Sequence, residues 1–191
     1  ELIAGPRRFK DLLAGLPEIS TNLLADRLRG LEQQGLIRRR TLPPPAGSTV
    51  YELTAVGQAL EPMLLELGRW GSQFVPPAPE DAAVLHAGSY ALTLKTFFRP
   101  ELAQGLDETY GLYVDDEVLS VRIANAAIDV RQGESRDAVA TLHTDIASYL
   151  ALLGGQLQLD QALAHGLAHV EGNAEALRRF LEICRLPALP A

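Results

Sequence analysis

Ser20, Thr21 and Asn22 stand together at what the spacing reads as the start of a helix, and arginines follow at positions 27 and 29. A further run, Arg38-Arg39-Arg40, comes after Gly35. Short polar side chains at a helix start can reach base edges in a major groove, while guanidinium groups nearby hold phosphate oxygens. The chemistry on offer is recognition rather than bond breaking. Thr21, Asn22 and Arg27 form the expected base-edge group, and Ser20 at the helix start is counted with them among the DNA-binding residues. Arg8, Lys10, Arg38, Arg39 and Arg40 form the expected phosphate group.

No other grouping carries chemistry as well. The histidines are His86, His143, His165 and His169. The last two are four apart, but Gly166 lies between them at a helix end, so they do not share a metal-binding face. Cys184 has no second cysteine to pair with, which suits a reducing compartment and a core position. Asp115-Asp116-Glu117 reads as a solvated turn, and Gly154-Gly155 lacks the Lys-Ser/Thr of a phosphate cradle. The expectation is no metal, no cofactor and no catalytic activity.

The elements that must position the polar group follow from apolar spacing. Phe9, Leu12, Leu13 and Leu16 fall at i, i+3, i+4 and i+7, one stripe of a helix. Pro17 cannot donate a backbone hydrogen bond, so residues 16–19 form a corner. Ser20 caps a second helix, whose Leu23, Leu24, Leu28 and Leu31 point inward and which Gly35 closes. Residues 36–42 and 49–54 then alternate, as two antiparallel strands do, around the stiff tip 43–48. On the residues alone the pattern is a helix–turn–helix with a β-wing, though a small α+β motif in an enzyme could share that shape.

The text GPRRFKDL, LPEIS, LADRLRGLEQQGLIRR and VYELTAVGQAL, running to Trp70-Gly71, resembles the winged-helix domain of the HxlR family of bacterial transcriptional regulators. The resemblance covers residues 5–71. It implies a cytoplasmic homodimer that reads a double-stranded DNA operator with inverted half-sites. It also implies a helix ahead of residues 1–4, often with a cysteine that could act as a thiol switch.

Net charge of −7 hides an asymmetry. Residues 1–40 hold eight Lys/Arg against five Asp/Glu, a net of +3, whereas residues 80–191 hold eight against sixteen, a net of −8. The acidity belongs to the second half. Apolar residues make up 47% of the chain, as in an ordinary folded protein, and no run of about eighteen of them suggests a membrane span.

Residues 55–74 read as one long helix carrying Val56, Leu60, Met63, Leu64, Leu67, Trp70 and Phe74, kinked at Pro62. Its apolar stripe is wider than one small domain covers, and part of it is expected at a dimer interface. The domains are expected at residues 1–75 and 81–191, joined by the proline-rich linker 76–80. In the second, a helix over 81–98 precedes strands over 109–114, 118–123, 127–131 and 139–144, read as an antiparallel meander. Helices over 146–153, 159–165 and 174–186 follow, with a strand over 167–171 before the last.

That order, with Leu152-Leu153-Gly154-Gly155-Gln156-Leu157, Ala162-Leu163-Ala164-His165-Gly166 and Val170-Glu171-Gly172-Asn173, resembles the sterol carrier protein 2 (SCP-2-like) fold over residues 85–184. The fold class is therefore α+β: a winged helix, then an antiparallel sheet covered by helices. The resemblance implies an apolar cavity for a hydrophobic small-molecule effector, walled by Leu112, Val114, Val121, Ile123, Leu150 and Leu153. Each of these residues could equally be plain core. Two other classes stay open: a lipid or sterol carrier whose winged helix mediates protein contacts, and an enzyme using Tyr90, Tyr110, Tyr149 or the histidines.

Overall fold

In the computed structural model, which describes residues 1–16, 18–43, 47–74 and 87–187, the first apolar stripe gives a short helix, α1 (Phe9–Ala14). It buries Leu12, but Leu16 is exposed, because the helix stops at Ala14 and the i+7 position leaves the stripe. The second helix, α2 (Thr21–Gln33), is capped by Ser20, whose Oγ accepts from the Leu23 N–H at 3.3 Å. It is followed by Gly35 at φ +72, a left-handed conformation that glycine takes at no steric cost. Leu24 and Leu28 are buried, whereas Leu23 and Leu31, expected inside, are exposed.

Strands β1 (Ile37–Thr41) and β2 (Thr49–Leu53) pair antiparallel as the wing. Arg7 adds a rung to it, exchanging backbone hydrogen bonds with Tyr51 at 2.9 and 2.7 Å. The expected corner at Pro17 and the centre of the wing tip, residues 44–46, lie outside the described residues. The single helix expected over 55–74 is instead two, α3 (Ala55–Gln58) and α4 (Glu61–Gly71), followed by a 3-10 turn, Ser72–Phe74. Pro62 sits in the first turn of α4, where its missing N–H costs no hydrogen bond. It starts a helix rather than kinking one. The expected linker 76–80 lies outside the described residues.

The next helix, α5 (Ala87–Phe97), leads to β3 (Asp107–Val114), β4 (Glu117–Ala124), β5 (Ala127–Gln132) and β6 (Ala140–Thr144). Then come α6 (Ile146–Gly154), α7 (Leu159–Ala164), β7 (Ala168–Gly172) and α8 (Ala174–Ile183). Asp145 and Asn173 cap α6 and α8 as expected, accepting from Ser148 N–H at 2.7 Å and from Glu175 and Ala176 N–H at 3.0 and 3.2 Å.

The sheet runs in the order β5-β4-β3-β6-β7. It departs from an antiparallel meander at one place: β6 pairs parallel with β3. The reason is topological. The β3–β4–β5 hairpins occupy one side of β3, so the chain after β5 must cross to the free edge, and it arrives running the same way as β3. Tyr110, Leu112 and Val114 are fully buried while Thr109 and Tyr113 are not, so one face of the sheet takes the helices. The layout expected of an SCP-2-like domain, helices laid on a sheet, is present.

Two cores result. Leu12, Leu24, Leu28 and Ile37 form the small one under the wing. The larger one fills the sheet–helix layer and includes Tyr110, Leu112, Tyr149, Leu177 and Phe180. The N-terminal 3-10 turn, Leu2–Ala4, touches both: Leu2 packs on the small core, and Ile3 and Ala4 on the large one. A second join runs along α4 and α5. Lys95 Nζ donates to Glu61 at 2.8 Å, Arg69 Nε donates to the Thr96 carbonyl at 3.0 Å, and a Cβ added to Gly68 would lie 3.0 Å from Thr96 Oγ1. Among the described residues, no helix is long and apolar enough to cross a membrane.

Candidate nucleic-acid interface

Leu24 and Leu28 anchor α2 from one side, so its polar residues are held outward. Ser20, Thr21, Asn22 and Arg27 are all exposed. They do not share one face. At about 100° per residue, Asn22 and Arg27 are roughly 140° apart around the axis. Asn22 lines up with Asp26 and Arg29 instead, and the Arg29–Asp26 ion pair at 2.7 Å shows that alignment directly. Arg29 therefore joins Asn22 on the outermost ridge, while Arg27 and Thr21 take its flanks. The seven-residue interval from Asn22 to Arg29, two helical turns, carried that information in the sequence.

The three wing arginines divide by strand alternation. Arg38 and Arg40 fall on one side and share a single carboxylate, Glu52, at 2.7 and 2.9 Å. Burial would push the Glu52 carboxyl up, but the two guanidinium groups outweigh it and hold it below its usual range. Two cations on one anion leave a positive excess facing solvent. Arg39 is differently placed. It donates to Glu32 of α2 at 2.8 Å, lies 5.9 Å over the Tyr51 ring, and its hydrogen bond holds the Glu32 carboxyl low. It ties the wing to α2, and its charge is matched by the Glu32 carboxylate.

Arg8 stands at the N-cap of α1, its N–H donating to Asp11 at 3.2 Å, and Lys10 is exposed. Arg7, counted in the basic excess of the sequence, is buried, its Nη2 ion-paired with Glu1 at 3.9 Å, and neither Nε nor Nη2 makes a hydrogen bond among the described residues. The surface positive charge of the first segment is correspondingly smaller than the composition suggests.

The residues expected to wall an apolar cavity are packed into the large core. Leu112, Val114, Val121, Ile123 and Leu153 are fully buried there, and Leu150 is partly exposed. The Tyr149 hydroxyl is buried among them without a partner, and burial raises its pKa well above the ordinary value. Burial likewise pushes the Cys184 thiol up to about 12, so it stays protonated and packs as a small apolar group. Asp115 is more than a solvated tip: its carboxylate accepts from the Ile146 N–H at 3.2 Å, tying the β3–β4 turn to α6. Tyr113 and His143 stack at 4.5 Å across β3 and β6, with His169 next to them. Among the described residues, no group of three or more His, Cys, Asp or Glu side chains is placed to hold a metal ion.

Residues 1–79 match the family described as HxlR-like helix–turn–helix, and residues 98–188 match the family described as alkyl sulfatase C-terminal. The HTH-type transcriptional regulator YodB of Bacillus subtilis (strain 168) is 40% identical over 76 residues, spanning 40% of this chain and 68% of that protein. Among solved structures, the inverting sec-alkylsulfatase Pisa1 from Pseudomonas sp. has a TM-score of 0.48 at 17% identity, covering 60% of this chain and 19% of the enzyme. The ubiquinone synthesis protein UbiJ-SCP2 has a TM-score of 0.44 at 21% identity, covering 56% of this chain and 93% of its own. At these values neither structure says anything about the chemistry of this chain.

Proposed function

This chain belongs to the HxlR-like helix–turn–helix family, and on that premise we propose that residues 1–75 bind operator DNA as a homodimer while residues 81–191 respond to a hydrophobic effector. The observation that carries the DNA reading is the α2 ridge. Its inner side is fixed by two buried leucines, its outer side presents Asn22 and Arg29, and Arg39 joins it to a wing with surplus positive charge. Asn22 and Thr21 contact base edges, with Arg27 and Arg29 beside them. Arg38, Arg40, Arg8 and Lys10 hold phosphates. Regulation rather than catalysis is the role the relatives support, and a reducing, cytoplasmic setting suits both a DNA target and the lone thiol.

Dimerisation doubles a modest set of phosphate contacts. It is assigned to the exposed stripe of α4 and the 3-10 turn after it, where Met63, Leu67, Trp70 and Phe74 recur at helical spacing outside either core. An effector in the second domain changes operator affinity only if it binds one arrangement of the two heads better than the other. The α4–α5 join gives it a mechanical route.

Fluorescence anisotropy on the duplex flanking the protein's own coding region, compared with a random duplex across salt concentrations, tests the DNA reading. Asn22→Ala should lower only specific binding. Arg38→Ala should weaken both duplexes alike and reduce the salt slope by about 1. Indifference to every duplex at low ionic strength overturns the reading, as do equal effects of the two changes.

A further inference from the structure

The groove of about 460 Å³ where α4, the end of α5 and the end of α8 meet has an unusual lining for a domain of net negative charge. Three guanidinium groups edge it: Arg69 from α4, Arg99 just after α5, and Arg185 just after α8. Phe97, Phe98 and Leu186 supply its apolar wall. Among the described residues, two carboxylates answer the three cations. Glu66 pairs with Arg69, and Glu182 serves both Arg99 at 3.6 Å and Arg185 at 2.9 Å. One positive charge is left over.

Capping of helix ends explains part of this arrangement. Arg69 donates to the last-turn carbonyl of Thr96, and cations are favoured at helix C-termini. Arg99 and Arg185 also follow helix ends, but their guanidinium groups pair with a shared, half-exposed carboxylate rather than with a helix carbonyl. Thr96 also lines the groove, but its buried hydroxyl is turned toward Gly68 of α4 and has no hydrogen-bond partner among the described residues. Forked cations with surplus charge and an aromatic wall are the elements of a site for an oxyanion attached to an apolar body.

We propose that this groove binds an amphiphilic anion, an alkyl chain carrying a sulfate or carboxylate head, with Arg99 and Arg185 on the head and Phe97, Phe98 and Leu186 along the chain. This deepens the effector reading by moving the site from the interior of the second domain to its junction with α4. Binding itself does not depend on that reading. Because Arg69 belongs to α4 and the other two arginines to the second domain, a ligand in the groove lies against both units. It favours the arrangement in which α4 stays seated on α5.

Isothermal titration of the full chain without DNA, using decyl sulfate and decanoate below their micelle-forming concentrations, tests the site. One saturable equivalent is expected for at least one of the two, and the better of them reports which head the arginines prefer. Decanol and inorganic sulfate should each bind at least about 10-fold more weakly, because each lacks half of the interaction. The Arg99→Gln/Arg185→Gln double variant should lose about 10-fold in affinity. Arg131→Gln, which alters an exposed pair on β5, should leave binding unchanged.

Absence of saturable binding by both amphiphiles overturns the proposal. So does decanol binding as tightly as decyl sulfate, or unchanged affinity in the double variant. Weaker retention of DNA by the double variant with no effect on amphiphile binding would assign the arginines to phosphates of the duplex instead, and would also overturn it. Since titration is read without DNA, its failure leaves the operator reading standing, and failure of operator binding leaves the groove standing.

Discussion

The two halves of the molecule solve the problem of burial in opposite ways. The winged segment closes around four fully buried apolar side chains, whereas the sheet–helix layer encloses more than twenty. Exposure runs the other way: ten of the thirteen exposed large apolar side chains among the described residues lie before residue 75. A unit that small gains little from its own core, and it leaves apolar surface for others to cover. The second half covers most of its own apolar surface. The first leaves more of it open, and the proposed dimer would cover the stripe on α4.

Breaking the larger core should cost most. Phe180 is fully buried and packs on Tyr110 with ring centroids 4.8 Å apart, so Phe180→Ala should remove about 4 kcal/mol in chemical denaturation. A loss under 1 kcal/mol would mean that the sheet–helix layer can collapse around the gap.

An intermediate effect is expected at the ion pair that joins α8 to β3. Glu108 accepts from Arg179 at 2.6 Å and from the Tyr110 hydroxyl. Arg179 holds its carboxyl below the usual range, against a smaller upward push from burial. A depressed native pKa means stability that is fully present above the ordinary carboxylate value of about 4.3 and is lost as pH falls through the lower native one. Glu108→Gln should therefore cost about 1.5 kcal/mol at pH 7 and nothing near pH 2. Urea midpoints at both values check it, and a penalty that persists in acid would point to packing instead of charge.

Thr96→Val should move stability the other way. Removing an unpartnered buried hydroxyl at the α4–α5 seam is expected to stabilise the ligand-free chain by about 1 kcal/mol. A lower Tm would show that the hydroxyl has a bridging partner. The smallest change in stability is expected on the α4 stripe. Leu67→Glu alters a side chain that is 59% exposed and should shift the stability of the isolated chain by no more than about 0.5 kcal/mol. It should nonetheless convert a dimer to a monomer in analytical ultracentrifugation. A dimer that survives Leu67→Glu removes α4 from the interface and weakens the contrast between the halves.

Local rules were the most readable. Ser20, Asp145 and Asn173 cap the helices they precede, and Gly35 and Gly155 end theirs at positive φ, because such signals depend on a few neighbouring residues. Longer-range arithmetic was less so. Pro62 was expected inside a helix and instead begins one. Leu16, Leu23 and Leu31 fit an apolar stripe, yet the small core has no room to take them. For the site, the sequence placed short polar and basic residues on α2 and the wing but could not say which cations were already taken. Strand register puts Arg39 over Tyr51 and within reach of Glu32, while Arg38 and Arg40 converge on Glu52.

What the chain determined by itself is the kind of elements it forms and their polarity: a capped helix with a polar ridge, a basic wing and an acidic second half, all written in spacing and charge. What only the tertiary structure decided is which of those groups remain available. The parallel β3–β6 pairing, the burial of Arg7 and the meeting of Arg69, Arg99 and Arg185 each join residues far apart in sequence. Such neighbours are set by how the layers pack, and spacing along one strand or helix carries no record of them.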